Sequence, residues 1–583
     1  MLTCAKFLKN TVENRKSPPI NLLIAQNRDC ADGVKQKMKK QLLQLGCCAL
    51  LANLAFAANP KISRDLEGAD PLATGDVIVQ FAHAPTETHH RMVRGHGGSF
   101  RSELPLVKSA VYSISNRSLK SLAADPEVVY ISPNRRLSGS MDNAAAAVNA
   151  QAAWKQSLTG AGIGVALIDS GVAMGQDVTG YTVLFGQSWV NYTIQDLYGH
   201  GTAVAGIIAG SGAASHAYGS TRNLQGIAPG AKIVNFRVLD QNGRGTDANV
   251  IAAINTAILL KWAFNIRVIN LSLGRPVFES YTKDPLCKAV EAAWKAGIVV
   301  VVAAGNDGRN NTKGTNGYGT ITAPGNDPYV ITVGAMRTMG TPSRTDDLMA
   351  SYSSKGPTNI DHIVKPDLVA PGNRVVAVYA PGTYLDTTYT QNNVPGNYYL
   401  NPGSSTGSSA YFMLSGTSMA APVVSAAVAL LLQHNPALTP DQVKAKLMLT
   451  AYKTFPASSV ATDGTTGVKY TSYYDAFTVG AGYLDIAAAL ADTTKFTGTA
   501  ALSPVATYDS TTDVTAPVCT AFTVCSVSGT NSLWASNSLW ASNSLWASNS
   551  LWASNSLWAS NSLWASSSTD SGEATLLTIN GEK

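Results

Sequence analysis

The sequence predicts an α/β protein: a doubly wound, mostly parallel sheet, preceded by a small α+β domain and followed by a low-complexity repeat tail. Three observations predict it. Within residues 141–492, near-continuous apolar runs alternate with helical patterns. Before them, residues 74–136 alternate shorter strand-like and helix-like runs. After them, residues 493–583 are rich in Ser and Thr, poor in charge, and hold six copies of NSLWAS at 531–566.

In the first region, DVIVQFA and SAVYSIS read as strands, SLKSLAADP as a short helix stopped at Pro126, and EVVYISP as a last strand. The polar stretch NRRLSGSMDN then reads as an exposed linker and a cleavage region. In the large region, GIGVALID, AKIVNFRVLD, IRVINLSLG, GIVVVVAAGN and PYVITVGA suit strands buried on both faces of a parallel sheet. ANVIAAINTAILLKWAF and LCKAVEAAWKAG, between them, read as helices. Such alternation gives a doubly wound sheet, whose sites gather at the carboxyl ends of the strands. Asp169, Gly274 and Asn306 fall there. In the tail, the repeat period is even, so an extended chain puts every repeat Trp on one face, whereas a helix scatters them. The composition fits a tail without a packed core. A short β array, or a sticky surface for carbohydrate or self-association, stays open.

The chain has 583 residues, enough for several domains, and a formal charge of +6. That charge is local. Residues 1–57 hold nine Lys/Arg and three Asp/Glu, which leaves 34 of each sign in residues 58–583. A nucleic-acid-binding face needs a basic excess, so nucleic acid is not an expected partner. MKKQLLQLGCCALLANLAFAANP has a basic start, an apolar middle and a small-residue end, so residues 38–57 read as a secretory signal peptide. Translation is then expected to start at Met38, with residues 1–37 an extraneous extension. The alternative, a cytoplasmic extension with 42–57 as anchor, is disfavoured because the apolar run is short for a span. Beyond residue 57 the cysteines are Cys287, Cys519 and Cys525. Export permits disulfides, and Cys519 with Cys525 flanks a small loop, whereas Cys287 reads as a buried thiol.

LSGTSMAAPVVSAAVALLL, residues 414–432, reads as a buried helix, yet its first turn carries Ser418 among small residues. A serine there is either a cap or a nucleophile. As a nucleophile it needs a base and an orienting carboxylate. His216 and His362 lie in polar stretches, and His434 is expected after the helix ends. His200 sits in GHGTAVAGIIAG, where glycines clear space and a helix follows. A helix N-terminus disfavours imidazolium, so a carboxylate partner is expected. Asp169, in ALIDSGV, ends a buried strand and needs a partner itself. No His/Cys/Asp cluster has metal-ligand spacing.

The order Asp169, His200, Ser418, within DSG, HGT and GTSMAAP, resembles the subtilisin-like serine proteases, the subtilases. QGIAPGAKIVNFRVLDQNGRGT, VINLSLG, VVVVAAGND, YSSKGP, KPDLVAPG and GAGYLDIAAAL follow in register. The resemblance implies a secreted serine endopeptidase, extracellular or periplasmic, in which Ser418 attacks the peptide carbonyl, His200 moves the proton and Asp169 fixes the imidazole. It implies that Asn306 donates to the oxyanion, a donor whose loss costs about 3 kcal/mol. Ser272, Leu273 and Gly274 resemble the strand that pairs with the substrate, and Gly243, Arg244 and Gly245 the opposing edge strand. Thr322 takes a pocket-floor position where many relatives have glycine, implying a shallower pocket and poorer acceptance of large aromatic P1 residues. Ala203 replaces a second histidine usual in the family, which is expected to tune geometry without abolishing activity.

Residues 58–140 resemble the family's ferredoxin-like propeptide, which implies a folding chaperone and intramolecular inhibitor, self-cleaved near 136–145. Arg135-Arg136 also offers a dibasic site to another protease. Four of the eight histidines, His83, His89, His90 and His96, lie in this unit. They read as solvated loop residues or as a pH-dependent release device. Expected partners are polypeptide substrates and the chain's own propeptide, with no integral membrane segment in the mature form. No cofactor is required for the chemistry; structural calcium is compatible with the family, but no loop yields nameable ligands. The competing reading is an adhesion protein on an inactive subtilase fold, with the Trp repeats binding. The intact Asp, His, Asn and Ser set weighs against it.

Overall fold

The computed structural model describes residues 59–63, 66, 70–104, 108–133, 140–216, 220–312, 314–400, 410–463, 466–496, 500–509, 514–518 and 580–582. The expected signal peptide, Arg135-Arg136, Cys519, Cys525 and the NSLWAS array lie outside the described residues. The chain divides into two compact units, Met1–Arg136 and Leu137–Lys583.

The first unit is a four-stranded antiparallel sheet, order β2-β3-β1-β4, from β1 (Thr74–Phe81), β2 (Ser99–Leu104), β3 (Ser109–Ser115) and β4 (Val128–Pro133). Helices α1 (Glu87–Gly95) and α2 (Leu119–Ala123) complete a βαββαβ order. Alternation along β1 sends Val77, Val79 and Phe81 into a core with Tyr112, Ile114 and Leu122. Sequence reading did not place α1 or β2. In α1 only His90 and Val93 are buried, and no residue of β2 is, so neither shows an apolar period. The Thr86 N–H, donating to His89 Nδ1 at 3.1 Å, helps start α1.

The second unit is built on an eight-stranded sheet, with order β11-β10-β9-β8-β5-β7-β6 and β12 beside β10. Its strands are β5 (Gly164–Asp169), β6 (Val183–Ser188), β7 (Lys232–Arg237), β8 (Ile266–Leu271), β9 (Val299–Ala303), β10 (Ile331–Arg337), β11 (Leu348–Met349) and β12 (Leu368–Pro371). All pairings are parallel except β10 with β11. Every residue of β5, β9 and β10 is buried, as strands covered on both faces must be. Helices α3 (His200–Ala209), α4 (Asp247–Leu259), α5 (Pro285–Lys295) and α6 (Thr417–His434) supply most of the cover. α6 is apolar all round and packs on α3, β8, β9 and β10, which is why its sequence carries no amphipathic stripe.

The helical pattern read to Phe264 stops earlier, at Leu259. Asn265 takes a left-handed φ of 45°, and the Ile266 N–H turns back to the Lys261 carbonyl at 2.9 Å, feeding the chain into β8. After β5 the chain runs to β6 and β7 on one side, then to β8, β9 and β10 on the other. The strand order therefore reverses beside β5, the position at which open α/β sheets open a crevice at their carboxyl ends. Asp169 is the last residue of β5.

Candidate active site

Asp169 reaches the sheet edge with a fully buried side chain. Its Oδ1 accepts from the Ser170 N–H at 2.7 Å and meets His200 Nδ1 at 2.8 Å. His200 is the first residue of α3. Burial pulls its imidazole down, but the Asp169 carboxylate, by charge and hydrogen bond, outweighs this and holds it above the usual histidine value. Asp196 adds to the same field.

Asp196 escaped sequence reading, yet it ties the pair together. Its Oδ1 accepts from the Ser170 hydroxyl at 2.9 Å and the Gly199 N–H at 2.7 Å; its Oδ2 accepts from the Thr202 N–H at 2.9 Å and hydroxyl at 2.7 Å. It thus joins the end of β5 to the start of α3. Burial, the largest influence, pushes its carboxyl above the usual range despite those bonds. An acidic residue just ahead of a helix start was the available signal.

Ser418 is the second residue of α6, and the N-cap is Gly416 at a φ of 132°. The capping alternative for Ser418 therefore falls away. Pro422 lies four residues on, inside the helix, and has no N–H to bond the Ser418 carbonyl. The Ser272 hydroxyl donates to that carbonyl instead, at 2.7 Å, and accepts from Asn270 Nδ2 at 3.0 Å. The Ser272 side chain is thereby committed to the first turn of α6, where Ser418 sits.

Asn306 follows β9. Its Oδ1 accepts from the Thr417 N–H at 2.9 Å and the Thr417 hydroxyl at 3.1 Å. Both acceptor contacts fix the amide's orientation and leave Nδ2 as the free donor. His200, Ser418, Asn306, Gly274 and Gly245 line one cavity of about 550 Å³.

Ser272–Gly274 and Gly243–Gly245, expected as strands, lie on this cavity but outside every strand of the fold. Gly243–Gly245 closes a turn in which the Asp240 N–H donates to the Arg244 carbonyl at 2.8 Å and Asp240 Oδ1 accepts from the Arg244 N–H at 2.9 Å. Thr322 sits under Gly274 and Gly305: a Cβ on either would lie 2.5 Å or 2.8 Å from its side chain. Its hydroxyl donates to the Ala304 carbonyl at 3.3 Å. Tyr198, also missed in the sequence, lines the cavity beside Gly243, where a Cβ would lie 2.7 Å from its ring, and stacks on Tyr384 at 5.9 Å between ring centroids. Burial pushes its hydroxyl up to about 12.

Elsewhere, Ala203 is buried within α3 and His434 is the last residue of α6 rather than the residue after it. Cys287 is fully buried, and burial drives its thiol well above the usual range. Among the described residues no three His, Cys, Asp or Glu side chains converge to hold a metal, so no calcium ligands are assigned.

Comparison with known proteins gives a consistent set. A family model described as "Subtilase family" matches residues 160–482. Serine protease AprX of Bacillus subtilis (strain 168) is 35% identical over 389 residues, covering 63% of this chain and 80% of that protein. Subtilisin E of the same organism is 31% identical over 361 residues, covering 61% of this chain and 78% of that protein. A solved structure, "Crystal structure of a cold adapted subtilisin-like serine proteinase", is 26% identical, covers 56% of this chain and 90% of that chain, and has a TM-score of 0.38.

Proposed function

The chain belongs to the subtilase family and is a serine endopeptidase, and from that premise we propose that Ser418 is its nucleophile, His200 its general base and Asp169 the orienting carboxylate. Ser418 Oγ attacks the scissile carbonyl carbon while His200 Nε2 takes its proton. The C–N bond breaks as His200 returns that proton to the leaving amine, and water then releases the acyl group by the same route. Asn306 Nδ2 and the first N–H groups of α6 receive the negative charge that develops on the carbonyl oxygen. The observation that carries this reading is the 2.8 Å Asp169–His200 contact at the cavity that Ser418 and Asn306 also line.

An extended polypeptide substrate pairs its backbone with Ser272–Gly274 on one side and Gly243–Gly245 on the other. Thr322, beneath Gly274, shortens the primary pocket and disfavours large aromatic P1 side chains. The reaction uses no cofactor. Residues 58–140 act as folding chaperone and inhibitor and are removed by self-cleavage near 136–145. Residues 38–57 direct export, and the enzyme works outside the cytoplasm.

A fluorophosphonate probe tests the assignment. It labels the wild-type chain, fails on Ser418→Ala, and reacts about 10²- to 10³-fold more slowly on Asn306→Ala. Undiminished labelling of Ser418→Ala would overturn it.

A further inference from the structure

Beyond the catalytic centre, the second unit holds a cluster of buried cations that the chemistry above does not use. Arg309 and Arg337 have side chains 9% and 10% exposed, and Glu582 lies between them at 4%. Glu582 Oε1 accepts from Arg309 Nη2 at 3.1 Å and the Ser351 N–H at 2.9 Å, and also takes the Ser351 hydroxyl. Oε2 accepts from Arg337 Nη1 at 3.1 Å. Asn373 pairs with the backbone of the same residue: its Oδ1 accepts from the Glu582 N–H at 2.8 Å, and its Nδ2 donates to the Glu582 carbonyl at 2.9 Å. Arg374 Nη1 donates to the Asn580 carbonyl at 3.4 Å.

We propose that this is a built binding site for an acidic peptide segment, and that Asn580–Gly581–Glu582 is its resident ligand, a latch closed within one chain. The recognition is specific at two positions. Two guanidiniums and a backbone N–H converge on one carboxylate, which selects an acidic side chain. The residue before it must be glycine: Gly581 has a φ of 73°, and a Cβ there would collide with Ser415 Oγ and Arg374 Cγ.

The site also adjoins the nucleophile. Ser415 Oγ accepts from the Arg374 N–H at 2.8 Å, and the Gly416 N–H donates to the Gly372 carbonyl at 2.8 Å. The Tyr352 hydroxyl, one residue from Ser351, donates to that same carbonyl at 3.0 Å. Gly416 caps α6, two residues before Ser418. The bed that receives Glu582 therefore sets the turn that presents Ser418.

The test uses binding, which does not depend on the triad assignment. In Ser418→Ala protein truncated after Leu577, a fluorescent peptide Thr-Ile-Asn-Gly-Glu-Lys binds saturably. The same peptide with Glu→Ala, or with Gly→Ala, binds at least tenfold more weakly. In the active truncated chain, fluorophosphonate labelling slows at least tenfold and the added peptide restores it. Should truncation prevent folding, a full-length Ser418→Ala chain with a specific protease site inserted after Ser571 serves: once nicked, the small fragment co-elutes with the body and is displaced by excess peptide. Equal binding of the Glu→Ala peptide, or a nicked fragment that separates at once, overturns the site. The closed latch keeps the full-length chain monomeric in sedimentation. A dimer that Glu582→Ala dissolves overturns the assignment to one chain.

Discussion

Two histidine–carboxylate pairs, one in each unit, share a geometry and differ in surroundings. His200 and Asp169 meet at 2.8 Å with side chains 15% and 0% exposed; His83 and Glu127 meet at 3.0 Å with side chains 77% and 43% exposed. In the buried pair the carboxylate dominates the imidazole, because water does not compete and the local dielectric is low. In the exposed pair water and salt weaken the attraction. There hydrogen bonds from His83, then His89, hold the Glu127 carboxyl below its usual value. Pairs at similar distances thus carry different electrostatic weight, set by how far each is enclosed.

Asp169→Asn is the largest break in this comparison. It removes the charge that raises His200 and leaves the burial that lowers it. It also stabilises the wrong tautomer, so kcat falls by about 10⁴. The sign of the pH effect follows. In the proposed mechanism the neutral imidazole is the active base, so activity is expected to be lost as pH falls through the His200 value. That value lies above 6.5 with Asp169 present and drops without it. The acid limb of kcat/KM therefore moves to lower pH in the variant. A pH–rate profile with an unmoved limb would show that Asp169 acts by orientation alone.

How much of this the sequence disclosed depends on the distance over which each part is encoded. The strands of the large sheet are legible because burial on both faces leaves unbroken apolar runs such as VVVVA in β9. Asp169, His200 and Ser418 stand out as candidates because each sits in a short motif of its own, and the role of Asn306 enters only through the resemblance of AAGND to the family. Ser272 is only half legible: its motif marks the place, but its bond to the Ser418 carbonyl depends on Pro422. The bed for Glu582 is not legible at all. It joins Arg309, Arg337, Ser351 and Asn373 to a residue beyond the repeat array, and no local pattern carries such a union.

Asp196→Asn sharpens the comparison at intermediate scale. Asp196 is a second buried carboxylate in the His200 field, without direct contact to the ring. Asn offers one acceptor where the carboxylate offers two, so the Thr202 or the Gly199 and Ser170 donors lose a partner. Loss of charged hydrogen bonds at a buried site lowers stability by about 2 kcal/mol. The loosened join between β5 and α3 lowers kcat/KM roughly tenfold. The acid limb shifts in the same direction as for Asp169→Asn, but less. Urea unfolding beside the pH profile separates the two effects. An unchanged limb with lowered stability would reduce Asp196 to a cap of α3.

Glu127→Gln has the smallest expected effect and probes the exposed side. Because its folded-state value is lowered, Glu127 contributes stability above the unfolded carboxylate value and loses it as pH falls through the lower folded one. Both lie in the acid range, so its own titration contributes nothing between about pH 5 and 8. Glu127 is the anion shared by His83 and His89. In Ser418→Ala chains, which cannot self-cleave, Glu127→Gln is expected to lower the thermal midpoint of the first unit only slightly at pH 7, because an exposed pair contributes little. In active chains it flattens any dependence of self-cleavage on pH between about 5 and 8. A fall of several degrees in the midpoint would mean that an exposed pair behaves like the buried one, and enclosure would no longer explain the difference. Wild-type self-cleavage that is already flat across that window would remove the release device, leaving His83 as a solvated surface residue and His89 as a largely enclosed residue of α1.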